Sequence, residues 1–243
     1  MKSTQVTPNL IQLTKWRMMN AYLVREDDGF TLVDTTMSAA ADLIAAADAA
    51  GSQIVRIALT HGHGDHVGSV DQLRETLGTE IPVLMPELDA AIHAGAAVAP
   101  PAQKRGGWPK LKTTPDVLLK PGDRVGSLEV IATPGHTPGH VAFLDTRDQT
   151  VIGGDALSSL GGLAVPNHAH LRFPLPFFGT CDRPGTLASA ERIRALDPAV
   201  LALGHGPALR DPQAAIDAAI LVARRKQPGT GQAPAHADGT QAS

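Results

Sequence analysis

The stretch LTHGHGDHVGS, Leu59 to Ser69, places three histidines and one aspartate within the six residues from His61 to His66. Glycines alternate with these side chains, and glycine allows the tight or left-handed backbone that lets several ligands converge from one short loop. Imidazole suits zinc, iron and nickel, and a carboxylate adds an oxygen ligand. A solvated turn would not need this arrangement. The stretch therefore predicts half of a metal site.

The segments around this loop predict regular structure. QIVRIALT before it has the pattern of a strand, and GSVDQLRETLG after it has that of a helix. Closer to the N-terminus, three extended segments between Asn9 and Asp34 predict a β-meander, and an alanine-rich helix follows with Ser38 as N-cap and Gly51 as its stop. Strands and helices then alternate a second time, which predicts two sheets covered by helices on their outer faces.

The rest of the chain is predicted to contain strands, three helices and two irregular stretches. The strands are IPVLM, SLEVIAT, HVAFLDT, TVIGGD and AVLALGHG, and a helix is expected in PELDAAIHAG and in RPGTLASAERIRAL. Residues 94–114 read as an irregular insertion and residues 156–183 as a long loop. A last helix begins at Asp211. We expect one domain over residues 1–227 and a disordered tail over residues 228–243.

Three more potential ligands each follow a predicted strand: His136, Asp155 and His205. Strand-end loops of one sheet edge aim their side chains at the same place, so these groups are expected to join the first cluster. Five histidines and two aspartates suit two ions that share a carboxylate. The predicted arrangement has Asp155 between two ligand sets, which are His61, His63 and His136 for one ion and Asp65, His66 and His205 for the other.

Composition excludes several classes of function. The formal charge of −3, from 24 acidic and 21 basic residues without a long basic run, argues against nucleic-acid binding. No segment reaches the ~20 apolar residues that a membrane span needs. We therefore predict a soluble cytoplasmic protein that acts on a small-molecule substrate. Its oligomeric state is left open.

In order and spacing, these motifs resemble those of the metallo-β-lactamase superfamily. The resemblance rests on THGHGDH, GHTPGH with His136, GGD with Asp155, and GHG with His205, and Asp34 in LVDTT matches an aspartate that the family places beside its site. It extends over residues 10–226. It implies an α/β fold, an αββα sandwich of two mixed sheets covered by helices, with a dinuclear site at the edge of the sheets.

The expected cofactors are two divalent metal ions per chain, with zinc first and iron or manganese as alternatives. Two such ions hold a hydroxide and polarise a substrate oxygen, so hydrolysis is the expected chemistry. Asp65 is the candidate catalytic residue, because a carboxylate at this place could orient the hydroxide and move its proton. Asp34 and His140 are expected to support ligands from behind. His93 and His236 are expected at the surface.

The resemblance also narrows the substrate. The family's β-lactamases lack a carboxylate at the position of Asp155, whereas its thioesterases and lactonases have one. Lactonases of the family carry a tyrosine three residues after that aspartate, where this chain has Ser158. Glutathione-specific members have a basic C-terminal helical region, and this chain has only ARRKQ before its tail. An ester, thioester or lactone is therefore expected.

Two further expectations concern the reaction and the substrate contacts. A mono-iron persulfide dioxygenase of the same superfamily is the alternative, and it would use His61, His136 and Asp155. The apolar segment over residues 160–178 is expected to contact substrate or to cap the core. The candidate substrate contacts are Ser158, His168, His170, Arg172, Phe177 and Phe178.

Overall fold

The structure, a computed structural model, describes residues 1–100 and 107–227 and contains two β-sheets packed face to face. The first sheet has seven strands that neighbour one another in chain order. Its strands are β1 (Lys2–Thr7), β2 (Leu10–Lys15), β3 (Met19–Glu26), β4 (Gly29–Val33), β5 (Ile54–Ala58), β6 (Val83–Pro86) and β7 (Val117–Leu119).

The second sheet has six strands in the order β13, β12, β11, β10, β9, β8. These strands are β8 (Arg124–Val125), β9 (Leu128–Ala132), β10 (Val141–Asp145), β11 (Thr150–Ile152), β12 (Val200–Ala202) and β13 (Leu209–Arg210). The helices are α1 (Ala40–Ala49), α2 (Gly64–Val67), α3 (Val70–Leu77), α4 (Glu87–His93), α5 (Leu175–Gly179), α6 (Arg183–Ala195) and α7 (Gln213–Lys226).

Both sheets are mixed, as predicted. The first begins as an antiparallel meander, and its strands β4 to β7 run parallel. In the second sheet β11 and β12 run parallel among otherwise antiparallel neighbours. Parallel neighbours need a helical crossover, which accounts for the helices on the outer faces.

Three hydrophobic layers hold these elements together. Side chains of a strand alternate between faces, so Leu23 packs towards α1 and α3 while Tyr22 and Val24 face the second sheet. Alternate residues of the second sheet, such as Leu201, pack against α6 and α7. This sequence of helix, sheet, sheet and helix is the expected αββα sandwich.

The N-terminal region corrects two predictions. The meander begins one strand earlier than expected, at Lys2, because an edge strand with exposed polar residues has no apolar period to reveal it. Ser38, with a φ of 50°, is not the N-cap of α1. The N-cap residue is Ala39, which makes no side-chain hydrogen bond to the helix. Instead the Ser69 hydroxyl, 30 residues away in the chain, accepts the Ala39 N–H at 2.9 Å. Gly51, with φ 84°, follows the helix as predicted.

The C-terminal half contains elements that the pattern did not indicate. The short strands β7, β8 and β13 and the helix α5 were not expected, since two to five residues are too few to show a period. Pro212, rather than Asp211, is the N-cap of α7, and no side chain bonds there. The predicted tail at 228–243, with His236, lies outside the described residues, so the domain boundary stays a prediction.

Within the described residues, no helix combines the length and apolar character required to cross a membrane.

Candidate metal centre

The predicted ligands meet at one edge of the sandwich. Each lies in a loop that begins where a strand ends: the histidine cluster after β5, His136 after β9, Asp155 after β11 and His205 after β12. The donor atoms form two groups, and within each group they lie within 4.8 Å of one another. The first group is His61, His63 and His136, and the second is Asp65, His66, Asp155 and His205.

The first group consists of three buried imidazoles. Nδ1 of His63 lies 2.9 Å from Nε2 of His136. Burial lowers the pKa of His61 and His136 well below the ordinary value and lowers the pKa of His63 to about 4. These rings are therefore neutral at physiological pH, and the neutral imidazole is the form that binds a metal.

The second group combines two imidazoles with two carboxylates. Nε2 of His205 lies 3.3 Å from Oδ2 of Asp65, and Nε2 of His66 lies 3.9 Å from the same oxygen. Burial would lower the pKa of His205, but the carboxylates of Asp155 and Asp65 raise the pKa to about 10. Burial likewise opposes ionisation of Asp65, yet His66 and His205 hold the pKa of Asp65 below its ordinary value. In this half of the site, carboxylates and imidazoles thus stabilise one another's charged forms.

Asp155 contacts both groups. Its Oδ2 lies 3.4 Å from Nε2 of His136 and 3.2 Å from Nε2 of His205, and its Oδ1 lies 3.4 Å from Nε2 of His66. Burial works against its ionisation, but His205 and His66 hold the pKa of Asp155 well below its ordinary value. A buried carboxylate thus stands between the two sets of imidazoles, and its predicted role between two ions stays a prediction.

The donor chemistry fits divalent metal ions. In the described part of the chain, Nε2 of His61, Nε2 of His66 and Oδ1 of Asp155 are buried polar atoms without a hydrogen-bond partner. Such atoms are rare because each costs free energy when it leaves water unpaired. A cation in each of the two groups would satisfy these atoms, and imidazole with carboxylate suits zinc and iron.

Asp34 supports the site from below, as expected. Its Oδ2 accepts a 2.7 Å hydrogen bond from Nδ1 of His66, and its Oδ1 accepts the Thr60 N–H at 2.8 Å. The Thr60 hydroxyl donates to the same carboxylate at 2.8 Å and lies 3.0 Å from Nδ1 of His61. Partners of this kind fix the ring orientation of a metal-binding histidine.

His140 holds the backbone of Asp155, and it lies immediately before β10 rather than inside that strand. Its Nε2 accepts the Asp155 N–H at 3.0 Å, which places the ring proton on Nδ1, 2.9 Å from the Thr133 hydroxyl. Burial lowers the pKa of His140 to about 3, so the ring remains neutral and can accept. His140, which was predicted to support the ligands, thus contacts the site through the backbone N–H of Asp155.

The His205 loop is held by a buried polar cluster on β2 and β3. Nδ1 of His205 lies 2.7 Å from the Met18 carbonyl, and the Asn20 amide donates to the carbonyls of Leu203 and Gly206 at 2.8 and 2.7 Å. The Tyr22 hydroxyl donates to the Leu203 carbonyl at 2.7 Å. The first sheet therefore positions a ligand that the second sheet carries.

Close packing, rather than a left-handed backbone, explains two glycines of the site, Gly62 and Gly204. Neither Gly62 nor Gly64 has a positive φ, which corrects the sequence argument. A Cβ on Gly62 would lie 2.2 Å from the Trp108 ring, and a Cβ on Gly204 would lie 2.2 Å from Oδ1 of Asp155. Glycine is required at these two positions because neighbouring groups occupy the space of a side chain.

Asp89 on α4 is a residue that sequence reasoning missed. The side chain is fully buried and its oxygens accept from Gly62 N–H at 2.8 Å, Gly139 N–H at 2.7 Å and the Thr137 hydroxyl at 2.6 Å. It therefore joins the loop of His61 and His63 to the loop of His136. An acid in the first turn of a helix is common for dipole reasons, so its position gave no sign of this role.

Trp108 and His93 also reach the site unexpectedly. The Trp108 ring lies 5.4 Å from the His63 ring and 5.1 Å from the His93 ring. His93 was expected at the surface, but it is half-buried and its Nε2 lies 2.8 Å from the Gly62 carbonyl. The predicted irregular insertion thus covers the histidine loop, and its residues 101–106 lie outside the described residues.

A cavity of about 400 Å³ opens above the two groups. Among its lining residues are Asp65, Asp155 and His205 on the floor and Leu175 and Pro176 on one wall. Asp65 is the most accessible ligand candidate, with a side chain that is 32% exposed. The cavity is large enough for a small substrate whose reactive group rests on the floor.

The candidate substrate contacts do not line this cavity. His168 and His170 face α7 in a separate surface groove, and Phe177 lies beneath the Arg183 guanidinium at 4.3 Å. Other members of the segment, Leu175 and Pro176 of α5, line the cavity instead. The residues that the structure places elsewhere are Ser158, His168, His170, Arg172, Phe177 and Phe178.

Two mixed sheets between helices, with paired His and Asp groups at one edge, define a class of metal-dependent enzymes. A sequence model of the metallo-beta-lactamase superfamily matches residues 14–205. This chain belongs to that superfamily, most of whose members are metal-dependent hydrolases.

Individual relatives agree with this assignment. The uncharacterized protein YobT of Bacillus subtilis (strain 168) is 39% identical over 213 residues, 85% of this chain and 91% of YobT. A hydroxyacylglutathione hydrolase of Acidiphilium cryptum (strain JF-5) is 31% identical over 192 residues, 73% of this chain and 69% of the relative. The crystal structure of TTHA1623 in a di-iron-bound form has a TM-score of 0.64 at 32% identity, and the match covers 83% of this chain and 94% of TTHA1623.

Proposed function

We propose that this protein is a dinuclear metal-dependent hydrolase that cleaves a small carbonyl compound, an ester, a thioester or a lactone. The observation that carries the proposal is the position of Asp155, within 3.4 Å of His136 and His66 and 3.2 Å from His205. One carboxylate that reaches both sets of imidazoles fits a bridge between two ions.

Two divalent ions, when bound, would supply an activated water and a Lewis acid for the substrate carbonyl. His61, His63 and His136 would hold one ion, and Asp65, His66 and His205 the other. Zinc is the expected metal on donor type, with manganese as an alternative. Iron is the other alternative, supported by the di-iron-bound form of the relative TTHA1623.

Asp65 is the proposed proton carrier. It lines the cavity, and His66 and His205 keep it ionised against the effect of burial on its pKa. Its Oδ2 can therefore accept a proton from the attacking water and pass that proton to the departing oxygen or sulfur. The other six ligand candidates are more deeply buried and turn towards one another, so they serve to bind and orient.

The relatives support an ester or thioester more than a lactone. One relative is a hydroxyacylglutathione hydrolase, an enzyme that cleaves a thioester. The single tyrosine of the chain, Tyr22, is fully buried and donates its hydroxyl to the Leu203 carbonyl at 2.7 Å. The hydroxyl of Tyr22 is thus not available at this cavity to assist the opening of a lactone ring.

Metal analysis of the purified protein beside a panel of esters, thioesters and lactones tests the proposal. We expect about two ions per chain, turnover that chelation abolishes, and turnover restored when metal is added back. Asp155→Asn should lose both metal and turnover. Asp48→Asn, which changes an exposed aspartate on α1, is the matched control and should retain both.

The same measurements separate the alternative enzyme. One iron per chain, oxygen uptake with a persulfide, and no turnover of any ester, thioester or lactone would contradict the hydrolase and favour the sulfur dioxygenase. That enzyme would need His61, His136 and Asp155 alone, so Asp65→Asn would leave its metal content unchanged.

A further inference from the structure

We infer that the substrate of this site is an uncharged compound with an apolar acyl group, and that glutathione thioesters and other anionic compounds are poor substrates. The inference rests on the proposed function, because it takes the cavity above the two ligand groups as the substrate site. The side chains that surround this cavity carry the argument.

Large apolar side chains form the walls above the polar floor. The lining includes Trp16, Met18 and Met37 from the N-terminal region and Leu175 and Pro176 from α5. Trp16, Met37 and Leu175 are 60%, 41% and 54% exposed, so large hydrophobic surface faces solvent at the mouth of the cavity. A group of exposed hydrophobic residues around a concave site is typical of a surface that binds an apolar partner.

The turn that carries Trp16 is unusual for its sequence. Trp16 and Arg17 connect β2 to β3 with φ values of 49° and 63°. A hairpin turn with two positive φ values favours asparagine and glycine, and a bulky residue there costs conformational free energy. The backbone of the turn does not favour a tryptophan at this position, and its ring lines the cavity.

Among the described residues, no lysine or arginine lines the cavity. Its described lining includes the carboxylates of Asp65 and Asp155, with the His205 imidazole beside both of them. The nearby Lys15 amine is paired with Asp42 at 2.6 Å, and Arg17 lines a separate groove that also borders Trp16. A substrate with carboxylates, such as a glutathione thioester, would find no lysine or arginine among the wall residues that the structure describes to offset its desolvation.

Methionines make this wall adaptable as well as apolar. Their unbranched, polarizable side chains fit irregular apolar shapes and tolerate different occupants. Met18 and Met37 would therefore accept straight acyl chains of several lengths. Each buried methylene should improve affinity about fourfold until the cavity is filled.

Calorimetry on the metal-loaded protein tests the inference directly. The probes are the straight-chain carboxylates acetate, butyrate, hexanoate and octanoate, which are the acyl products of the proposed hydrolysis. Succinate, which has a second carboxylate in place of the terminal methyl of butyrate, tests the effect of charge on the walls. We expect affinity to rise about fourfold per methylene and succinate to bind at least tenfold more weakly than butyrate. Equal affinity along the series, or succinate binding as well as butyrate, would overturn the inference.

Variants show whether the named walls are responsible. Trp16→Ala and Leu175→Ala should flatten the dependence on chain length. Leu221→Ala on α7 is the matched control, since its side chain is 50% exposed and lies away from the cavity, and it should keep the wild-type dependence. If both wall variants kept that dependence, these walls would not be the acyl site.

Turnover of the matching acyl thioesters, with S-lactoylglutathione for comparison, separates the two proposals. Preference for S-lactoylglutathione over octanoyl thioesters would refute the apolar substrate while the hydrolase stands. No turnover of any compound by protein that holds two ions would refute the hydrolase. The calorimetric series would still decide whether the cavity binds apolar acyl groups.

Discussion

Replacement of Asp89 by alanine would remove the carboxylate that joins the two histidine loops. Three donors, the N–H groups of Gly62 and Gly139 and the Thr137 hydroxyl, would lose their acceptor. A buried donor left unpaired costs about 1–3 kcal/mol, and partial relaxation lowers the total. We expect a loss of about 4 kcal/mol in the free energy of unfolding at acid pH, where Asp89 is neutral in the folded protein.

The loss should become smaller as the pH rises. Burial raises the pKa of Asp89 from 3.8 to about 6 despite its three hydrogen bonds. A carboxyl whose pKa is higher in the folded than in the unfolded state contributes stability at low pH. This contribution is complete below the unfolded-state pKa and is lost as the pH rises through the folded-state pKa. At 1.36 kcal/mol per pKa unit this contribution is about 3 kcal/mol, and about half of it is lost above pH 5.

Urea unfolding of wild type and Asp89→Ala between pH 5 and pH 8, with chelator present, measures the difference. The difference in unfolding free energy between wild type and Asp89→Ala should be about 1.5 kcal/mol smaller at pH 8 than at pH 5. Glu87→Ala is the matched control on the same helix. Its carboxylate is 49% exposed and lies 3.5 Å from Lys120, so its loss should cost under about 1 kcal/mol with little pH dependence over this range.

Two results would refute the reasoning about Asp89. A difference in stability that stays constant from pH 5 to pH 8 would show that burial does not raise the pKa of this carboxyl. A difference that grows with pH would show that the ionised form is the stabilising one. Metal content supplies a separate check, since Asp89→Ala should hold less metal when Gly62 is no longer fixed between two ligands.

Three other substitutions test the site. Asp65→Asn should lower turnover by about 10²-fold or more and change unfolding free energy by less than about 1 kcal/mol. A loss of unfolding free energy large enough to explain the lost turnover would contradict a catalytic role. His140→Ala should cost about 2–4 kcal/mol in urea unfolding, because the Asp155 N–H loses its buried acceptor. Gly204→Ala should reduce metal per chain, since its Cβ would meet Oδ1 of Asp155 at 2.2 Å. Gly51→Ala, with open space but φ 84°, should cost about 1–2 kcal/mol and keep its metal.

Local chemistry made the ligand set predictable. His61, His136, Asp155 and His205 each follow an apolar run, and a strand that ends at a sheet edge delivers its next residues to that edge. Asp34, which directly follows β4, was identified through the family resemblance. Positions that depend on one strand and its own loop can be derived from the adjacent residues.

Cap residues and short strands were less predictable because distant residues decide them. The N–H of Ala39 bonds to the hydroxyl of Ser69, so the adjacent Ser38 was the wrong candidate. The two-residue strands β8 and β13 form only because β9 and β12 offer unpaired edges. No periodicity within two residues can report such a partner.

Local motifs and strand periodicity were enough to predict the layered fold and the seven ligand candidates. The surroundings of these residues became visible only in the folded protein: Asp89 as the link between loops, Trp108 over the histidines, and Trp16 and Leu175 on the cavity walls. The difference comes from the distance along the chain between the residues that interact. Motifs and periods report the backbone and burial of neighbouring residues, whereas a cavity is shaped by side chains that packing brings together from remote parts of the chain.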